Sequence, residues 1–269
     1  MSATIEKRTT RPTRHADPDL LGDTPRDIVA WADSYGAGEV VPAHRHRRAQ
    51  LLHAVTGVMT VTTPDGSWVV PPHRALWVPP ATDHAIRMTG AVSMRTLYVE
   101  PATAASMPRQ CCVLSVSPLL RELILRAMEL PRLYDTEGAA GRLIALILDE
   151  IRVLPALPLH LPMPAEPRLA KICERLRHHP EDGRALEAWG RSVGASGRTL
   201  ARLFHRETGM SFGAWRQQAR LIAALARLGA GEPVTAVALD LGYESPSAFT
   251  AMFRRSLGVT PSRYFDPPR

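Results

Sequence analysis

Hydrophobic and polar positions change their rhythm twice along the chain. From about Ile28 to Val99, short apolar or alternating runs (VMTVTTP, SWVVPP, ALWVP, MRTLYVE) are broken by Pro, Gly and Asp-Gly. That pattern predicts the short strands of a sandwich or barrel. Asp65-Gly66 predicts a hairpin turn between two of them. After Pro101 the spacing of Leu and Ile becomes three and four, which predicts amphipathic helices over 117–130 and 139–154. The second carries Leu143, Ile144, Leu146, Ile147, Leu148, Ile151 and Leu154 around more than one face. Such a surplus of apolar surface predicts a partner chain and hence a homodimer.

The run PALPLHLPMPAEP over 155–167 has five prolines in thirteen residues. Each removes a backbone donor and fixes φ, so neither a helix nor an inner strand is expected, and the run reads as a semi-rigid linker. The expected organisation is a flexible 1–25, a first domain over 26–154, the linker, and a second domain over 168–266.

That second domain contains a repeat. Gly190 and Gly194 precede Ser196, Leu200, Phe204, Gly209 and Ser211; Ala238 and Gly242 precede Ser245, Phe249, Phe253, Gly258 and Thr260. From each serine onward the spacing is the same, and the copies differ by one residue in the turn before it. A small residue four before a turn glycine lets two helices cross closely. The serines read as N-caps, Pro246 as a first helical residue, the Leu200, Phe204, Phe249 and Phe253 stripe as core, and Gly209 and Gly258 as left-handed caps. Two helix-turn-helix units follow. On their second helices Arg198, Thr199, Ala201 and Arg202, then Ser247, Thr250, Ala251 and Arg254, point away from the buried stripe. Ser211 to Leu228 predicts one helix of 18 residues joining the copies, about 27 Å long. A rod of that length can place two helices in successive major-groove segments, about 34 Å apart.

Composition sharpens this. The 269 residues are 45% hydrophobic and 22% charged, which suits two globular domains and lacks an apolar run long enough for a bilayer. The polar amino terminus predicts no secretory signal, hence a cytoplasmic protein. Three cysteines lack paired zinc spacing and read as reduced packing residues. The formal charge is +7. From Glu166 on, 16 basic residues stand against 10 acidic ones, whereas the first 165 residues are nearly neutral. A basic second domain predicts double-stranded DNA as its partner.

The stretches GRTLARLFHRETGMSFGAWRQQARL and VALDLGYESPSAFTAMFRRSLGVTPSRYF resemble the DNA-binding domain of the AraC/XylS family of bacterial transcription regulators. The resemblance covers about Pro167 to Phe265. It implies a seven-helix domain with recognition helices over about 197–207 and 246–256. Its base-contacting positions fall on Arg198, Ala201 and Arg202, and on Pro246, Ser247 and Ala251. Members often carry Gln or Arg at the second set, where this chain has small residues.

In the first domain His44 and His46 alternate, Gln50 follows, and His84 lies beyond a Trp77 to Pro80 turn. Three imidazoles and an amide oxygen suit a divalent first-row transition metal. The run Gly38, His44, His46, Gln50, Gly57, then Pro79, Ala81 and His84, resembles the two cupin motifs, with Gln50 in place of the ligand glutamate and Ala81 in place of a glycine. His53 and His73 read as structural or surface residues, and Trp68, Trp77 and Leu97 as candidate walls of a small apolar cavity. The expected protein is α+β: a cupin-like β-barrel with a helical pair, then an all-α double helix-turn-helix domain. It acts as a one-component transcription regulator in which a small-molecule or metal effector shifts the presentation of the DNA-binding domain, with RNA polymerase as a further partner. The alternative is a cupin-type metalloenzyme with an attached helical domain, against which stands the absence of a general base beside the histidines.

Overall fold

The computed structural model describes residues 23–153 and 159–265. The expectations for 1–22, for Leu154 and 155–158, and for 266 lie outside these residues. Eight strands and two helices form the first unit: β1 Ile28–Tyr35, β2 Val40–His44, β3 Ala49–Thr63, β4 Gly66–Val70, β5 Arg74–Val78, β6 His84–Val99, β7 Cys112–Ser115, α1 Pro118–Ala127, α2 Ala139–Glu150 and β8 Arg152–Val153. A ninth strand, β9 His160–Pro162, precedes seven helices: α3 Pro167–His178, α4 Leu186–Val193, α5 Gly197–Thr208, α6 Phe212–Gly229, α7 Val234–Asp240, α8 Pro246–Leu257 and α9 Pro261–Tyr264.

The sheet is organised by two long antiparallel strands. β3 and β6 pair along most of their length, β1 and β2 flank β6, and β5 and β4 flank opposite halves of β3. Register between β3 and β6 slips on either side of Thr56. There Gly57 has φ +73°, and a Cβ would meet the Ala91 carbonyl oxygen at 2.6 Å. Such a bulge bends the strand pair, so the two halves of the sheet curl toward each other. Among the described residues the strand order does not close on itself, so the expected barrel is an open, curled sheet. The chain is α+β as read from the sequence.

One sheet face carries Leu51, Trp77, Leu97 and Leu114 against Leu120, Ile124, Ile144 and Ile147 of the helical pair. Ser117 caps α1 by accepting from the Leu120 amide at 3.0 Å. Burial of each such Leu or Ile contributes about 1.5–3 kcal/mol.

Several expectations shift. The helix expected over 139–154 ends at Glu150, because Ile151 turns extended at ψ 109° and Arg152 and Val153 pair with Ser115 and Leu114. The hairpin turn sits one residue earlier than expected: Gly66 already pairs with Thr63, leaving Pro64 and Asp65 at the tip. The proline-rich run is not a spacer throughout. β9 pairs with β4, Leu161 opposite Ser67 and His160 opposite Trp68, as an edge strand that tolerates proline. Thr24 is buried and its carbonyl accepts from Arg48, so the last part of 1–25 is fixed to the first unit.

Candidate functional site

The two helix-turn-helix units form as their spacing predicts. Ser196 accepts from the Thr199 amide and Ser245 from the Ala248 amide, at 3.1 and 3.2 Å. Gly194, Gly209, Gly242 and Gly258 all have positive φ. Leu200, Phe204, Phe249 and Phe253 are fully buried. The one-residue difference between the copies has a steric meaning. A Cβ on Gly190 would meet the Ala195 carbonyl oxygen at 2.3 Å, while the longer turn after Ala238 leaves room for a methyl group.

On α5, Arg198, Ala201 and Arg202 are exposed. Among the described residues, no ion pair or side-chain hydrogen bond engages Arg198 or Arg202, which stand one helical turn apart. Thr199 is different: its hydroxyl lies 2.9 Å from Ser196 Oγ and belongs to the cap. On α8, Ser247, Ala251 and Arg254 are exposed, and Pro246 and Thr250 are half-buried. His205 continues the exposed face of α5; its place one turn beyond Ala201 is the signal that could have found it. Arg255 extends α8 in the same way.

The joining helix is α6. Its amino-terminal half, through Trp215 and Ala219, packs with α3, α4 and α5. Its carboxy-terminal half, through Leu221, Ala224, Leu225 and Leu228, packs with α7, α8 and the first unit's sheet, including Val58. Trp215 Nε1 donates to the Pro162 carbonyl and Gln218 Nε2 to the His160 carbonyl, each at 2.7 Å, so β9 is tied to the same helix.

The histidines also converge. His44 ends β2, His46 lies just past it, and His84 opens β6 opposite His44. The expected single strand face is therefore replaced by a strand end and a loop, yet one nitrogen from each ring lies within 4.8 Å of the others. Nδ1–H of His84 donates to the Thr82 carbonyl at 2.9 Å, and Nδ1–H of His44 to the Pro42 carbonyl at 2.7 Å. Such bonds fix each tautomer with Nε2 as the lone-pair nitrogen. His84 Nε2 and Gln50 Oε1 are buried with no hydrogen-bond partner among the described residues. Burial, reinforced by His44, pushes the His84 imidazole down to about 4, so it is neutral near pH 7 and suited to ligation.

A cavity of about 250 Å³ adjoins them, lined by His44, His46, Gln50, Trp31, Tyr35 and Tyr98 among others. Trp68, Trp77 and Leu97 do not line it. Strand alternation turns Trp77 and Leu97 to the helical pair, and Trp68 stacks on His160 at 4.4 Å. Trp31, Tyr35 and Tyr98 take that role, and sequence alternation alone could not say which aromatic faced inward. Ala81 has φ +58°, a backbone suited to the glycine of the cupin pattern.

Paired recognition helices on a basic unit, joined to a sheet that carries an aromatic-lined cavity, define a DNA-binding transcription regulator with a ligand-binding domain. Residues 32–147 match the family model of the AraC-like ligand binding domain, and 189–266 match that of a helix-turn-helix domain. The HTH-type transcriptional regulator NimR of Escherichia coli (strain K12) is 40% identical over 237 residues, 88% of this chain and 86% of that protein. The HTH-type transcriptional regulator RipA of Corynebacterium glutamicum is 35% identical over 103 residues, 38% of this chain and 31% of that protein. A structure of ToxT from Vibrio cholerae aligns over 89% of this chain and 98% of its own at 8% identity, with a TM-score of 0.38. The chain belongs to the AraC family of transcription regulators. No helix among the described residues is long and apolar enough to cross a membrane.

A glycine inside a helix normally gains about 1 kcal/mol on replacement by alanine. Gly190→Ala should instead destabilise the chain by about 1–3 kcal/mol, because the clash is with backbone that must move. Denaturant unfolding followed by tryptophan fluorescence checks this; an unchanged or raised midpoint would contradict it.

Proposed function

We propose that this chain reads bases chiefly through α5 and presents its DNA-binding unit under control of an effector held by the first unit. The observation that carries the reading is the pair Arg198 and Arg202, exposed one turn apart on a recognition helix without carboxylate partners among the described residues. Arginine can bond guanine bidentately, and Ala201 between them can meet a thymine methyl. Ser247, Ala251 and Thr250 on α8 offer single hydrogen bonds or apolar contact, with Pro246 at the helix start and Arg254 near a phosphate. The second helix then contributes position more than sequence preference.

The chain acts in the cytoplasm as a homodimer, with RNA polymerase as a further partner and no catalytic role. Leu119, Leu133 and Leu146 of the helical region are exposed at 50%, 62% and 40%, which favours pairing through that face. The reading of a cupin-type enzyme finds less support, since its relatives are named as regulators.

His44, His46 and His84, with Gln50 beside them, would hold a divalent first-row metal. The buried, unpartnered His84 Nε2 and Gln50 Oε1 support that fit. When bound, the ion supplies a Lewis-acidic anchor for an oxygen or nitrogen donor of an effector. The chain's own contribution is to orient two imidazoles through carbonyls and to supply the aromatic walls of the adjoining cavity.

Arg198→Ala and Arg202→Ala should each weaken binding to the site enriched from random DNA by about 1–3 kcal/mol and relax preference there. Fluorescence anisotropy checks this, and equal losses on random duplex would assign both to phosphates. Elemental analysis of untagged protein should find near-stoichiometric divalent metal in the wild type and little in His84→Ala. Substoichiometric metal in both would remove the metal from the account.

A further inference from the structure

We infer that a cleft on the helical unit, between α3 and α4, binds a free purine nucleoside diphosphate. Residues of α3, of α4 and of the turn between them line a cleft of about 640 Å³, within the usual size of ligand sites. Ile172, Trp189 and Val193 supply its apolar part, and Lys171, Arg175 and Arg184 its fixed cations.

Arg184 is held from two sides. Its guanidinium carbon lies 3.6 Å from the centroid of the Trp189 ring, so one face of the fork covers the indole. Nε donates to Oδ1 of Asp182 at 3.0 Å and Nη2 to Oδ2 at 2.6 Å. These bonds, with Arg175 nearby, hold the Asp182 carboxyl below the usual carboxylate range, so the partner stays ionised. The Arg184 side chain is nevertheless 44% exposed, which leaves the face away from the indole open. A planar cation fixed in this way is a platform for a nucleobase, because bases stack on aromatic rings and on guanidinium planes alike. Trp189 adds a donor: the residue is 5% exposed, and its Nε1 has no hydrogen-bond partner among the described residues.

The phosphates fall to α3. Lys171 and Arg175 stand one turn apart there, both exposed and without an ion pair or side-chain hydrogen bond among the described residues. Side chains at that spacing have Cβ atoms about 5–6 Å apart, so each cation can meet one group of a diphosphate. Glu174 is the carboxylate of this wall, and it is engaged by His178 at 2.9 Å and Arg177 at 3.4 Å. A base over Arg184 with phosphates on α3 uses the apolar and cationic parts together, which neither an inorganic anion nor a hydrocarbon does. Duplex DNA keeps its bases inside the stack, so a platform of this kind suits a free nucleotide.

Calorimetry on the full chain without DNA tests the inference, with ADP and GDP as probes, their nucleosides as partners lacking phosphate, and pyrophosphate as the partner lacking a base. At least one diphosphate should bind about tenfold or more tightly than its nucleoside and than pyrophosphate, within the range of one stacked base. Arg184→Lys keeps the charge but removes the plane, and should bring the nucleotide down to the level of pyrophosphate. Lys171→Ala with Arg175→Ala, both exposed changes, should bring it down to the level of the nucleoside while leaving affinity for the enriched DNA site unchanged. Arg198→Ala should leave nucleotide binding unchanged. The inference is overturned if neither nucleotide binds, if pyrophosphate binds as tightly, or if Arg184→Lys or the double variant binds undiminished. It is equally overturned if the double variant loses DNA affinity in step, which would assign both cations to duplex phosphates, or if Arg198→Ala abolishes nucleotide binding.

Discussion

Everything in this molecule that bears on DNA hangs on the burial of one helix against three neighbours at once. α6 presents Trp215 and Ala219 to the first helix-turn-helix unit, and Leu221, Ala224, Leu225 and Leu228 to the second and to the sheet. Each large apolar side chain so buried contributes about 1.5–3 kcal/mol, so the contact fixes geometry as well as adding stability. Its 18 residues span about 27 Å, with the first helix-turn-helix unit packed on its amino-terminal half and the second on its carboxy-terminal half.

The same burial makes the sheet a neighbour of the DNA-binding unit rather than a distant attachment. β9 completes the tie: it pairs with β4 on one side and accepts hydrogen bonds from Trp215 and Gln218 of α6 on the other. Change inside the sheet therefore has a short, packed route to the recognition helices. Under the function proposed above, a ligand in the first unit would act by favouring one seating of α6 over another.

The helical unit was largely legible in the sequence, because its signals are local. Serine caps, glycine caps and a four-residue apolar stripe depend on neighbours within a few positions, and Ser196, Gly209, Ser245 and Gly258 all take the expected conformations. The sheet was less so. Which aromatic faces the cavity depends on how β3 and β6 bend at Gly57, a long-range matter that alternation cannot report. Arg152 and Val153 continue a helical spacing yet pair with β7, since an available strand edge outweighs weak local preference. The histidines were found by spacing, although two elements and a loop bring them together rather than one strand. The proline-rich run concealed β9 because an edge strand accepts prolines that an inner one rejects.

The spacing of the two recognition helices is most directly tested by hydroxyl-radical footprinting on the enriched DNA site. Each subunit should leave two protected patches about 10 base pairs apart on one face of the duplex. A single patch per subunit, or two on opposite faces, would contradict the account of α6 as the rod that sets them.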